Sequence, residues 1–283
     1  MPRAIDHLVI PARDLTAQAE LYRRLGFQVG TRNRHPWGTE NHIVQFDGAF
    51  LELIGLGEGF AAPAPEPGVF SFAGFVAAFL ARREGLAMLV LRSQDAEMDR
   101  RRLKAEGLGD FSRFDFARKA RRPDGSEVDV AFSLAFAASP ALPETGFFVC
   151  QQRFPENFWS PAAQVHPNGA LGVAGLTIVS ERPSEAGDFL ATFLEAPPRV
   201  IPGGATFRAA GAAIECLTPS AFAARYAAPS LGEGVAAVRV RVADMAAAEA
   251  ALKRSGAPFR RCDGEAIVDA KDAMGALIAF VAA

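Results

Sequence analysis

The amino-acid sequence predicts an α+β protein built from four strand-helix-strand-strand-strand (βαβββ) units that pair into two domains. Three observations predict it. One local pattern, an apolar run, then a turn with an acid or a serine, then an amphipathic helix, returns four times along the chain. Each copy is followed by short strand-like runs bounded by turn residues. The length, 283 residues against about 150 per typical domain, leaves room for two domains.

The first copy is IDHLVIPARDLTAQAELYRRLGF. An apolar run over 5–10 reads as a strand, and Leu15, Ala19, Tyr22 and Leu25 recur at helical spacing until Gly26 closes the helix. Strands are expected at 28–31, 42–46 and 50–56, with Asp47-Gly48 as a hairpin turn. A Pro-rich stretch, 61–68, leads into an apolar helix at 72–80 that should pack over one edge of this unit. The second copy, AMLVLRSQDAEMDRRRLKAEGL, has Asp95 and Gly107 where the first has Asp14 and Gly26. Its strands are expected at 111–117, 127–136 and 147–152, with Asp124-Gly125 as a turn.

Residues 153–169, RFPENFWSPAAQVHPNG, join the halves. They are too rich in Phe154, Phe158 and Trp159 for a solvated linker and should lie on the protein. The third copy, VAGLTIVSERPSEAGDFLATFLEA, offers Ser184 as helix N-cap, followed by strands at 207–209 and 212–217. The fourth, VAAVRVRVADMAAAEAALKRSG, carries Asp244 and Gly256, with strands at 266–269 and 276–281. The domain reading is 1–152 (units at about 4–56 and 85–152), a connection at 153–169, and 170–283.

Composition narrows the function. Thirty basic against 32 acidic residues give a net charge of −2, and the basic residues are scattered apart from short clusters at 100–102 and 118–122, which argues against nucleic acid. Apolar runs break before about 18 residues, so no membrane span is read. The N-terminus has no leader pattern, which makes the cytoplasm the expected location. Cys150, Cys216 and Cys262 are odd in number and far apart, the pattern of reduced thiols, and Cys150 in its apolar strand is expected to be buried and inert. No GxSxG, Walker A, dinucleotide fingerprint or HExxH is present, which disfavours nucleotide chemistry.

The segments IDHLVI with the helix ending LGF, RHPWGTENHIVQF, FLELIGL and FFVCQQRFPENFWSPAAQVHPNGA resemble the vicinal oxygen chelate superfamily (glyoxalase, bleomycin resistance and extradiol dioxygenase proteins), and within it the glyoxalase-like domain proteins. The resemblance implies that paired units form open cups with a metal held by the first and last strands of each unit. It places His7 and Glu52 as ligands, Glu52 also as the catalytic carboxylate, and Gln152 as a weaker third ligand. The ion would be a divalent zinc, nickel, manganese or iron. Glu52 alternates with Leu51 and Leu53 and so faces away from them.

At the matching position of the later units stand Met88, Gly175 and Ala237, so the second cup, where Glu215 lacks partners, is expected to be structural. His35, Trp37, Asn41 and, with Thr39 and His42, the irregular RHPWGTENH turn suit a loop at the cup's mouth. Trp159 and His166 join His35, Trp37 and Asn41 as candidate substrate contacts, His166 on condition that the connection folds back over the cup. The expected function is binding of a small oxygen-rich molecule, with metal-dependent lyase or isomerase chemistry. A metal-free binding or sequestering protein is the alternative, and an extradiol dioxygenase, which wants two histidines and a glutamate, stands third.

Overall fold

The computed structural model describes residues 2–121 and 126–283. The first unit comprises β1 (Ile5–Pro11), α1 (Leu15–Arg24), β2 (Asn33–Arg34), β3 (Thr39–Gln45) and β4 (Phe50–Leu56), followed by α2 (Phe72–Arg82). The second comprises β5 (Met88–Arg92), α3 (Ala96–Ala105), β6 (Phe114–Arg121), β7 (Glu127–Ala137) and β8 (Gly146–Gln152). A short helix α4 (Pro155–Phe158) and a 3₁₀ turn lie in the connection. The third unit is β9 (Ala170–Val179), α5 (Pro183–Leu194), β10 (Arg199–Ile201), β11 (Gly204–Ala209) and β12 (Ala212–Leu217), followed by α6 (Pro219–Tyr226). The last is β13 (Gly234–Val242), α7 (Met245–Ser255), β14 (Arg260–Cys262), β15 (Glu265–Val268) and β16 (Leu277–Ala282).

The units do not stack face to face. They join edge to edge, β1 antiparallel to β5 and β9 antiparallel to β13, into two eight-stranded sheets of identical order, β2-β3-β4-β1-β5-β8-β7-β6 and β10-β11-β12-β9-β13-β16-β15-β14. Within each unit the first strand runs parallel to the last, as β1 does to β4 and β5 to β8. The helices start where the recurring acid predicts. Asp14 accepts the Ala17 N–H, Asp95 those of Glu97 and Met98, and Asp244 that of Ala246. Ser184 caps nothing: Pro183 opens α5, its missing N–H needing no partner there, so the cap position falls on Arg182.

Strand alternation sorts the side chains into two cores. Leu8, Ile10, Leu51, Leu53, Leu89, Leu91, Phe147 and Val149 face the helices in one core that continues into the second sheet through Leu176, Phe189, Phe193 and Phe280. Phe147 meets Phe189 at 4.7 Å, and Phe27 stacks on Phe280 at 5.8 Å, so the two halves share this core. The other faces form the cups. In the first, Val9, Met88, Val90, Phe132, Leu134, Phe136 and Phe148 pack with Phe72, Val76 and Phe79 of α2, which therefore lies inside the cup against β1 and β4 rather than at an edge.

Some expected strands shift. Residues 28–31 form no strand and the pairing instead begins at β2, because only Asn33 and Arg34 reach β3. Thr39, Asn41 and His42 sit on β3, leaving only 35–38 as the irregular turn. The Asp47-Gly48 turn closes the β3–β4 hairpin. The Asp124-Gly125 turn lies outside the described residues. Among the described residues no helix is long and apolar enough to cross a membrane.

Candidate functional site

The first cup holds a small pocket whose polar floor is made by β1, β3 and β4. β1 carries a bulge between Ile5 and His7, so Asp6 and His7 are not on opposite faces as alternation demands. Both are buried on the concave side. His7 Nδ1 donates to Asp6 Oδ1 at 2.6 Å, and the Asp6 Oδ2 accepts the Gln152 amide at 3.1 Å. The imidazole is clamped between rings, stacked on Phe50 at 4.3 Å and edge-on to Phe148 at 5.5 Å. With Nδ1 committed to a carboxylate, Nε2 is turned to Glu52 Oε2, 3.8 Å away.

Glu52 enters from β4 and is held on its other side. Asn41 Nδ2 donates to Glu52 Oε1 at 2.5 Å and lies 3.3 Å from His35 Nε2. His35 Nδ1 bonds Thr39 Oγ1 at 2.8 Å, and its ring stacks on Trp37 at 4.6 Å. His35 Nε2 stands 3.8 Å from Glu52 Oε1. Burial pushes the His35 pKa below its ordinary value, against the pull of the Glu52 charge. A neutral ring with its proton on Nδ1 fits both hydrogen bonds.

The walls are apolar: Trp37, Ile43, Phe50, Phe72, Phe116, Phe132, Leu134, Phe148, Cys150 and Phe158. Phe158 comes from the connection, whose backbone is tied over the mouth by Gln45. Gln45 Nε2 donates to the Phe158 carbonyl at 2.8 Å, and its Oε1 accepts the Ser160 N–H at 3.0 Å.

The structure thus brings together His7, Glu52, His35, Trp37 and Asn41. It does not bring Gln152, Trp159 or His166 to the same cavity. Gln152 shares the face of Phe148 and Cys150, yet its amide is directed at Asp6. Trp159 lies outside the cavity, against Phe158 at 4.9 Å and Phe50 at 6.0 Å. The connection does fold back over the cup, but His166 lies beyond the crossing with both nitrogens used. Its Nδ1 accepts the Gln28 N–H at 2.9 Å and its Nε2 donates to the Gln45 carbonyl at 2.7 Å. Asp6 and Arg118, also at the site, escaped the sequence reading. The signal for Arg118 was the alternation Phe114, Phe116, Arg118, which puts a cation on an apolar face.

Asp6, His7 and Cys150 place one ligand atom each within 4.8 Å of one another, all buried. The Cys150 thiol is the poorest of these donors, because burial and then the charges of Asp6 and Glu52 raise its pKa well above the usual value. The second unit supplies no donors at the matching positions. Val9 pairs with Glu52 as Val90 pairs with Phe148, and His7 pairs with Phe50 as Met88 pairs with Gly146. Met88 and Phe148 therefore stand where His7 and Glu52 stand in the first. In the second cup α6 occupies the interior. Phe222 and Tyr226 are fully buried there, Tyr226 OH bonds Thr177 at 2.8 Å, and Thr177 donates to Glu215 at 3.1 Å.

Three histidines respond alike to acid. Burial lowers the pKa of His35, His42 and His166. The unfolded chain takes up protons below about pH 6.5 while the folded one resists until its lower values, so stability is full above that pH and falls as pH drops through the window below it. Urea unfolding should give a smaller free energy at pH 5.5 than at pH 7, and His166→Gln should shallow the slope. A flat profile would contradict the burial of these rings.

The sequence pattern of the glyoxalase-like domain family matches residues 5–194. No curated protein matches the chain in sequence. Among solved structures, a hypothetical protein from Staphylococcus aureus is similar with a TM-score of 0.69 at 12% identity, covering 99% of each chain. A triple mutant of 4-hydroxymandelate synthase from Streptomyces coelicolor gives 0.61 at 12% identity, over 100% of this chain and 93% of that one. A xylose isomerase-like TIM barrel/4-hydroxyphenylpyruvate dioxygenase fusion protein gives 0.55 at 16% identity, over 92% of this chain and 39% of that one. At these identities the likeness is one of fold.

Proposed function

Because the chain belongs to the glyoxalase-like domain family of the vicinal oxygen chelate superfamily, we propose that its first cup binds a small oxygen-bearing molecule, with His7 and Glu52 holding a divalent cation beside it. One observation carries the reading. In the neutral form that a metal ligand takes, the bond from His7 Nδ1 to Asp6 makes Nε2 an acceptor, and it faces an acceptor oxygen of Glu52 at 3.8 Å. Two acceptors turned toward each other inside an aromatic cavity call for positive charge between them. A carboxylate behind the imidazole is also the arrangement that orients a ligating histidine. Zinc, nickel, manganese and iron all accept such imidazole and carboxylate donors.

When bound, such an ion would polarise a carbonyl of the ligand. The protein's own part is binding and proton handling. The ring walls exclude water and seat an apolar body. Asn41 fixes Glu52 through Oε1, and the carboxylate so positioned would take or return a proton in lyase or isomerase chemistry. Gln152 supports this floor through Asp6. Calorimetric titration with zinc and nickel should show one site per chain, lost in His7→Ala and at least tenfold weaker in Glu52→Gln. Unchanged binding in both variants would sink the metal reading.

A second reading has its own support. With Met88 and Phe148 at the second unit's positions, the cup is half aromatic where a full ligand set would be polar. A metal-free binding protein would use the same walls, with His7 Nε2 accepting a hydrogen bond from the ligand.

A further inference from the structure

Arg118 is the one arginine or lysine among the described residues lining the first cavity. It projects from β6 on the face of Phe116, two residues before it on the same strand. Its Nε is buried without a hydrogen-bond partner, and its Nη1 reaches only the Lys119 carbonyl, at 3.4 Å. No ion pair is formed by it among the described residues, although Glu52 is near enough to act on it through its charge. Three other partly buried guanidinium groups are each paired with carboxylates. Arg3 binds Asp99 and Glu195, Arg225 binds Glu265 and Arg260 binds Asp269. An unpaired guanidinium in an apolar wall costs stability that a structural role does not repay. It is repaid when an anion enters the cavity.

We propose that Arg118 receives the carboxylate of the molecule bound in the first cup, which makes the ligand a monocarboxylate with an aromatic body. The proposal rests on the reading of that cup as a binding site. The fork of an arginine matches a carboxylate through two parallel hydrogen bonds. The body of the ligand has ring faces to lie against in Phe116, Trp37, Phe132 and Phe158. One cation balances one negative charge.

The test is calorimetric titration of the full chain with 3-phenylpropionate and with its neutral amide, 3-phenylpropionamide. The wild type should prefer the acid by about 10- to 100-fold, the worth of a charge-assisted pair. Arg118→Gln should remove the preference, Arg118→Lys should keep part of it, and His7→Ala should leave it in place. Arg118→Met should also be at least as resistant to heat as the wild type, since it deletes a half-buried cation with no ion-pair partner among the described residues. Equal binding of acid and amide by the wild type would overturn the carboxylate assignment while leaving the cup as a binding site. So would a preference that survives Arg118→Gln, or one that disappears in His7→Ala, which would put the carboxylate at His7 and Glu52. Failure of both probes to bind would overturn the assignment together with the reading of the cup.

Discussion

Gly85→Ala should lower the stability of the protein by about 3 to 5 kcal/mol, among the largest effects any single methyl group could have here. The backbone passes Gly275 at this point, between the two halves. A Cβ on Gly85 would lie 2.2 Å from the Gly275 carbonyl oxygen, and one on Gly275 would lie 2.1 Å from that of Glu84. Both residues have positive φ, 114° and 85°. The obstruction is main chain on both sides, so no rotamer relieves it, and Leu86 and Ala276 next to the crossing are anchored in the shared core. Gly256→Ala provides the control: its φ is 69° but nothing lies within 4 Å of the added carbon, so only the left-handed strain of about 1 to 2 kcal/mol applies. Urea denaturation of the two variants separates crowding from strain. A Gly85→Ala loss no larger than that of Gly256→Ala would mean that the halves meet less closely.

The double variant Met88→His, Phe148→Glu should turn the first cup into a strongly metal-dependent structure. These positions repeat His7 and Glu52 by strand register, and Phe148 already touches the His7 ring edge-on at 5.5 Å. Without metal the variant should lose several kcal/mol, because a carboxylate replaces a ring packed against Phe72 and Phe136. With zinc in thousandfold excess over its dissociation constant, about 4 kcal/mol should return. Thermal unfolding with and without zinc reads both effects. A variant equally stable in the two conditions would show that the cup floor does not converge on an ion.

The repeat was legible because its signals are local: apolar runs, Asp caps and closing glycines lie within one stretch of chain. The edge strands β2, β10 and β14 were not, since each is only two or three residues long with exposed or half-exposed side chains. His7 and Glu52 could be read as facing one cavity because each sits on an otherwise apolar strand. Asp6 could not, because alternation puts it on the far face and only the bulge, a property of the β1–β5 pairing, turns it inward. His166 was misplaced for a related reason. Its HPNG setting looks like a free turn, whereas its partners are backbone groups of residues 28 and 45, invisible to local pattern. Arg118 was hidden by its basic neighbours, which make a wall residue look like part of a solvated cluster.

The core shared by the two sheets sets what a shorter chain could be. Phe147 and Phe27 are covered in part by Phe189, Phe193 and Phe280 of the other half. A polypeptide ending near residue 152 would present the uncovered parts of those rings to water. It would have to recruit a second molecule to cover them. In its architecture the protein is thus a dimer written on one chain, with the connection at 153–169 as its tether. The tether does more than hold the partners together, since it also lays Phe158 across the mouth of the cup. Tethering in this way frees the two halves to diverge, one keeping a polar floor and the other filling with Phe222 and Tyr226, which two copies of a single short chain could not do.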